Sequence, residues 1–189
     1  MHKLFIYVPM VLSVALASVT AQADSQKKFH TALSGAQQVI NVGVGGTTIP
    51  IKGLVTGAYG EVKFRLSGDR SAIHYVFKAT NTTTPIFMAH LHLGPKGQNG
   101  PVVFWLYADA NVNPNFPRSD GPFTGEIRGM LTAADFVMPR DSEGRVLVNT
   151  FEDAIANLMN GNTYINVHTV AHPGGEIRGQ FSRRHHRHH

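Results

Sequence analysis

Two short stretches place histidines where they could do chemistry. In "MAHLHLG" (88–94), His90 and His92 are separated by one residue. Alternate side chains of a β-strand share a face, so the two imidazoles stand roughly 7 Å apart at Cβ. Two such rings can converge on one ion at about 2.0–2.1 Å. Met88, one step further along that face, adds a soft thioether suited to copper. In "TYINVHT" (163–169), Ile165 and Val167 alternate with Tyr164, Asn166 and His168. His168 is therefore aimed away from its own strand's core face. If this strand lies beside the first, three imidazoles meet. His172, on the turn before Pro173, is a candidate fourth ligand. His30 and His74 occupy strand positions without such neighbours.

The expected site is thus His90, His92 and His168, completed by His172 or Met88. Imidazole donors favour copper on the Irving–Williams order, and the same set accepts zinc or nickel. A second reading of the same residues stays open. The three rings could instead donate to backbone carbonyls and order the loops.

Composition removes other chemistries. The chain has no cysteine, so it holds no disulfide, zinc–thiolate site or iron–sulfur cluster. Ser, His and Asp are present, but no nucleophile elbow is seen. The formal charge of +5 falls to about +1 once Lys3, Arg183, Arg184 and Arg187 at the two ends are set aside. A nearly neutral body without a nucleic-acid motif argues against a nucleic-acid partner. A catalytic role is less expected than binding.

The elements that must position the histidines read as short, alternating segments broken by Gly, Asn and Pro. They are "FHTALSG", "GEVKFRL", "AIHYVFKAT", "PIFMAHLHLG", "PVVFWLYA", "FTGEIRGML", "GRVLVN", "TYINVHT" and "GEIRGQF". This spacing predicts an all-β, antiparallel β-sandwich or barrel. "TFEDAIANLMNG" differs. Thr150 with Asp153 resembles a capping box, Asn160-Gly161 stops a helix, and Phe151, Ile155 and Leu158 share a helical face. One short helix is expected there. Two long loops are expected, a Gly-rich one over 41–52 and a Pro/Asn-rich one over 108–122. Neither carries the Gly-Lys-Ser/Thr of a phosphate-binding loop.

Gly-Glu-Ile-Arg-Gly occurs twice, at 125–129 and 175–179. Alternation predicts Ile127 and Ile177 inward and the charged residues outward, with pairing across strands if the copies are neighbours. Trp105, Tyr107 and the Pro/Asn loop offer an interaction surface.

The ends are of another kind. Lys3, the apolar run "LFIYVPMVLSVALASV" and "AQA" at 21–23 read as a signal peptide over 1–23. The domain then covers 24–182, with no further hydrophobic segment long enough to span a membrane. The tail 183–189, "RRHHRHH", is expected to be disordered and to bind metals loosely whatever the domain does. The protein is expected to be secreted or periplasmic.

Several of these blocks resemble the CHRD (chordin-type) domain family. They are "FHTALSGAQQV", "AHLHLGPKGQNGPVVFWL", "FTGEIRGMLTAADF" and "LMNGNTYINVHTVAHPGGEIRGQF", spanning about residues 29–181. The last is the most specific. The resemblance implies an immunoglobulin-like or superoxide-dismutase-like β-sandwich in a secreted protein, and no definite activity. It leaves three functions open: an exported metal-binding module, a metal-free module for an extracellular or envelope protein, and, less expected, a dismutase-like enzyme.

Overall fold

Alternation of apolar and polar residues decides which segments extend. The computed structural model describes residues 28–44, 47–108 and 121–182. The expected leader, the tail and most of the Pro/Asn loop lie outside them. Ten strands are described: β1 (Lys28–Ser34), β2 (Val39–Val44), β3 (Thr47–Lys52), β4 (Tyr59–Leu66), β5 (Ala72–Thr80), β6 (Ile86–Leu93), β7 (Val102–Ala108), β8 (Gly125–Thr132), β9 (Thr163–Thr169) and β10 (Ile177–Gln180). In β1 every second residue is buried, Phe29, Thr31 and Leu33, while its neighbours face solvent. β4 and β5 repeat the pattern with Val62, Phe64 and Leu66, and with Ile73, Tyr75 and Phe77.

Eight strands make one antiparallel sheet in the order β7-β6-β9-β10-β1-β4-β5-β8, and β2 and β3 make a separate hairpin. The large sheet folds over until its ends meet, which gives the expected all-β architecture a nearly closed, barrel-like form. The seam has side-chain and backbone fastenings. Tyr75 Oη in β5 donates to the Leu106 carbonyl of β7 at 2.7 Å. The Val137 N–H, beyond the end of β8, donates to the Val103 carbonyl at 2.9 Å. Inside lies a single apolar core to which all eight strands contribute.

The expected helix is α1 (Phe151–Met159). Thr150 Oγ1 accepts the Asp153 N–H at 3.0 Å, and Glu152 and Asp153 in the first turn oppose the positive end of the helix dipole. Phe151, Ala154, Ile155 and Leu158 are buried, and Phe151 meets Phe104 of β7 edge-on at 5.7 Å. Among the described residues no helix is long and apolar enough to cross a membrane.

Several expectations are corrected. The segment 41–52 is not a loop: β2 and β3 pair from Val39↔Lys52 to Val44↔Thr47, because β-branched residues outweigh the glycines. "GRVLVN" is not a strand. It makes one isolated bridge, Val146 to Arg140, because Asp141 ties residues 141–145, the start of the segment included, into a turn by accepting from the N–H groups of Glu143 and Arg145. Its Val148 still enters the core.

The two GEIRG copies are not neighbours. β8 is an edge strand beside β5, whereas β10 lies between β9 and β1. Glu126 meets Lys78 and Arg128 at the surface. Glu176 and Arg178 are buried, at 0% and 1% exposure, against the outward placement expected of them. Tyr107 is also buried, so it adds nothing to a surface.

Gly129 has a packing reason. It stands opposite Tyr75 in register, and the Tyr75 ring passes over it to reach Leu106. A Cβ at 129 would overlap that ring. Gly129→Val is expected to cost about 1–3 kcal/mol by overpacking, whereas Tyr75→Phe, which loses one hydrogen bond, costs about 1 kcal/mol. Thermal unfolding of both variants checks this; a Gly129→Val protein as stable as wild type would contradict the seam.

Candidate metal centre

β6 and β9 are adjacent, which is what the histidines require. Their register sets Met88 opposite His168, His90 opposite Asn166 and His92 opposite Tyr164. Opposed residues on antiparallel strands share a face, so both strands present these side chains on the side away from the core. β9 nevertheless has no exposed face: all seven of its residues are buried. Its second face is roofed by loops 94–101 and 170–176.

Each roof contributes a carbonyl. The Gly100 carbonyl accepts from His92 Nδ1 and the Pro173 carbonyl from His168 Nδ1, both at 2.9 Å. A carbonyl can only accept, so each Nδ1 carries the proton and each Nε2 keeps its lone pair. Those two Nε2 atoms are buried without a hydrogen-bond partner, as are both ring nitrogens of His90. One ligand nitrogen from each of His90, His92 and His168 lies within 4.8 Å of the others. Nitrogens bound to a single ion at about 2.0–2.1 Å stand no more than about 4.2 Å apart. Around a tetrahedral or trigonal ion the nitrogens stand nearer about 3.4–3.6 Å apart, so the widest pair must close by on the order of 1 Å.

Each imidazole also rests on an aromatic wall. The Trp105 ring meets His90 edge-on at 4.1 Å. Tyr164 stacks on His92 at 4.8 Å, with its planes 6° apart. Phe87 meets His168 at 6.2 Å. The rings are thus buried, and burial sets protonation. Burial pushes His90 down to about 3, with His168 and His92 adding to the shift. Burial pushes His92 down to about 4 against the opposing bond to Gly100, and it lowers His168 against the bond to Pro173. All three are neutral at pH 7, the form in which imidazole ligates a metal.

The roofs are tied down by polar residues. Gln38 Nε2 donates to Asn166 Oδ1 at 2.7 Å. Gly175, at φ 112, lies against Asn166 so closely that a Cβ would overlap it. The Glu176 carboxylate accepts from the hydroxyls of Thr56 (2.6 Å), Thr83 (2.6 Å) and Thr169 (2.8 Å) and from the Thr83 N–H. Burial works to raise that carboxyl, and these bonds outweigh it and hold it below its ordinary value. The Arg178 guanidinium lies 3.4 Å over the Tyr164 ring, behind His92.

The structure thus unites His90, His92 and His168. Met88 sits opposite His168 and is half-buried, on the same side of the sheet. His172 is outside the group whose nitrogens lie together. His30 bonds to Glu61 at 3.0 Å on the surface. Phe87 departs from the alternation that turns Ala89, Leu91 and Leu93 to the core. A register shift between Ile86 and Met88 sends Ile86 to the core and releases Phe87 to His168. Sequence reasoning set Tyr164 and Asn166 on the right face without a role, and it missed the anchoring parts played by Gln38 and Glu176. Nothing local signals those two, because their partners lie far away in the chain.

Fold and pocket define an all-β module with a buried cluster of neutral imidazoles. The profile of the CHRD domain matches residues 29–181, and the chain belongs to that family. CHRD domains are typically extracellular modules. No curated protein and no solved structure matches the chain.

The depressed histidines imply a pH dependence of the metal-free protein. In the unfolded chain each takes up a proton near its ordinary value of about 6.5, while in the folded chain His90 and His92 wait until about 3 and 4. The unfolded state therefore binds more protons between these limits. Stability is full above about pH 6.5 and falls as pH drops, by up to about 1.4 kcal/mol per pH unit for each histidine held neutral. Urea midpoints at pH 7.5 and 5 should separate, and a His90→Gln/His92→Gln variant should narrow the gap. Equal gaps in both proteins would contradict neutral, buried rings.

Proposed function

We propose that this protein is an exported metal-binding module that holds one ion, with copper favoured, on His90, His92 and His168. The observation that carries the reading is the set of buried, unpartnered ring nitrogens within 4.8 Å of one another. A buried polar atom without a partner costs about 1–3 kcal/mol, and a bound cation would remove several such costs at once. The Nδ1 bonds to Gly100 and Pro173 serve as the outer support that orients a ligating imidazole. Three neutral nitrogens suit copper over zinc by intrinsic affinity, and Met88 opposite His168 is placed to add a soft donor. His172 belongs to the turn rather than to this shell. Family membership supports an extracellular or envelope setting, in which the role would be storage, delivery or protection from excess metal.

Trp105 makes the test direct, because it is the chain's one tryptophan and it touches His90. The four tail histidines, His185, His186, His188 and His189, are first replaced by alanine in the full chain. Copper titration of that protein should quench the tryptophan saturably at one equivalent. His90→Ala/His92→Ala/His168→Ala should weaken the apparent affinity at least 100-fold. Zinc and nickel, titrated likewise, should bind more weakly. Equal weak binding by both proteins would remove the metal reading and leave a metal-free interaction module in which the histidines only fasten loops.

A further inference from the structure

A second recognition site lies beyond the wall of the histidine pocket. Between the β2–β3 hairpin and loop 94–100 is a cleft of about 460 Å³, lined by Gln38, Lys52, Lys96, Gly97, Arg178 and Gln180 among others. Three of these residues are cationic, and none of the residues lining the cleft is acidic. Lys52 reaches across from β3 to the loop: its Nζ lies 3.2 Å from where a Cβ on Gly97 would stand. Lys96 is exposed at the rim, on the same loop.

Arg178 sets this cleft apart from a scatter of surface lysines. Its side chain is buried, and its hydrogen-bond partners are neutral: Nη1 donates to Asn99 Oδ1 at 2.8 Å and Nη2 to the Gln98 carbonyl at 2.7 Å. Its third contact is the face of Tyr164. No carboxylate among the described residues pairs with it. A buried cation is normally paired, because its lost hydration is otherwise only partly replaced. Guanidinium keeps its proton under such conditions and so remains a fixed positive charge beneath the cleft. The two bonds spend two of its five N–H groups and hold the planar fork in place.

We infer that this cleft binds a small oxyanion, a carboxylate- or phosphate-bearing molecule, with Arg178 as the buried counter-charge and Lys52 and Lys96 as the arms that close over it. The site is independent of the metal reading. The cleft has ample room for such a molecule, and Gln38 and Gln180 add polar edges. Two exposed ammonium groups on separate elements allow entry and release, while the buried guanidinium gives direction.

The experiment is isothermal titration of the full chain with inorganic phosphate and, separately, with succinate, at low chloride. Saturable binding of at least one anion is expected. Lys52→Gln/Lys96→Gln, which alters exposed residues only, should weaken it at least tenfold, and His90→Ala/His92→Ala/His168→Ala should leave it within about twofold. The stronger of the two anions tells phosphate from carboxylate ligands. Arg178→Gln, checked for folding by circular dichroism, should abolish binding. The inference is overturned if neither anion binds saturably, if the double lysine variant binds as wild type does (the result expected for anions held by the basic tail), or if the histidine variant alone loses binding.

Discussion

Two backbone carbonyls govern the histidine face of the sheet. By accepting hydrogen bonds from Nδ1–H of His92 and His168, the Gly100 and Pro173 carbonyls leave both Nε2 lone pairs unspent inside a pocket shared with His90. The two readings that the residue types leave open, loop fastening and metal ligation, are therefore carried by opposite nitrogens of the same rings and do not compete. The same roofs bury the rings, which keeps them neutral and makes their unpartnered nitrogens costly. Stability is given up at this spot in the form that a ligand could restore.

Holding two loops over a sheet takes polar anchors, and two of them, Glu176 and Arg178, lie in the second GEIRG copy. Glu176 ties the turn that carries Pro173 to three threonines from separate parts of the chain. Arg178 fixes loop 94–100 through Asn99 and Gln98 and backs Tyr164, on which His92 stacks. The first copy has the same letters and none of these tasks. Its Glu126 and Arg128 form ion pairs at a sheet edge, where such pairs contribute little. Identical pentapeptides thus differ by sheet position alone: one is at an edge, and the other lies between two strands under a roof.

Arg178 also joins two regions. One side of Tyr164 carries its guanidinium and the other the His92 ring, so the cationic cleft and the imidazole pocket share a single aromatic partition. Packed aromatic and planar groups resist sliding because interiors are close-packed. The cleft and the pocket are thus neighbours separated by one packed ring.

The alternating strands, the capped helix at 151–159 and the placing of His90, His92 and His168 away from their core faces were legible in the sequence, since each follows from a period of two or 3.6 residues and from local capping. Residues 41–52 misled because glycine content hid a β-branched hairpin. The turn of Phe87 toward His168 was not legible, because a bulge breaks the period and leaves no mark in composition. The sequence by itself determined which side chains share a face. Only the tertiary structure decided that β6 lies beside β9, that loops bury the second face, and that Glu176 and Arg178 turn inward. Pairing partners and burial depend on contacts between segments far apart in the chain, which no local period encodes.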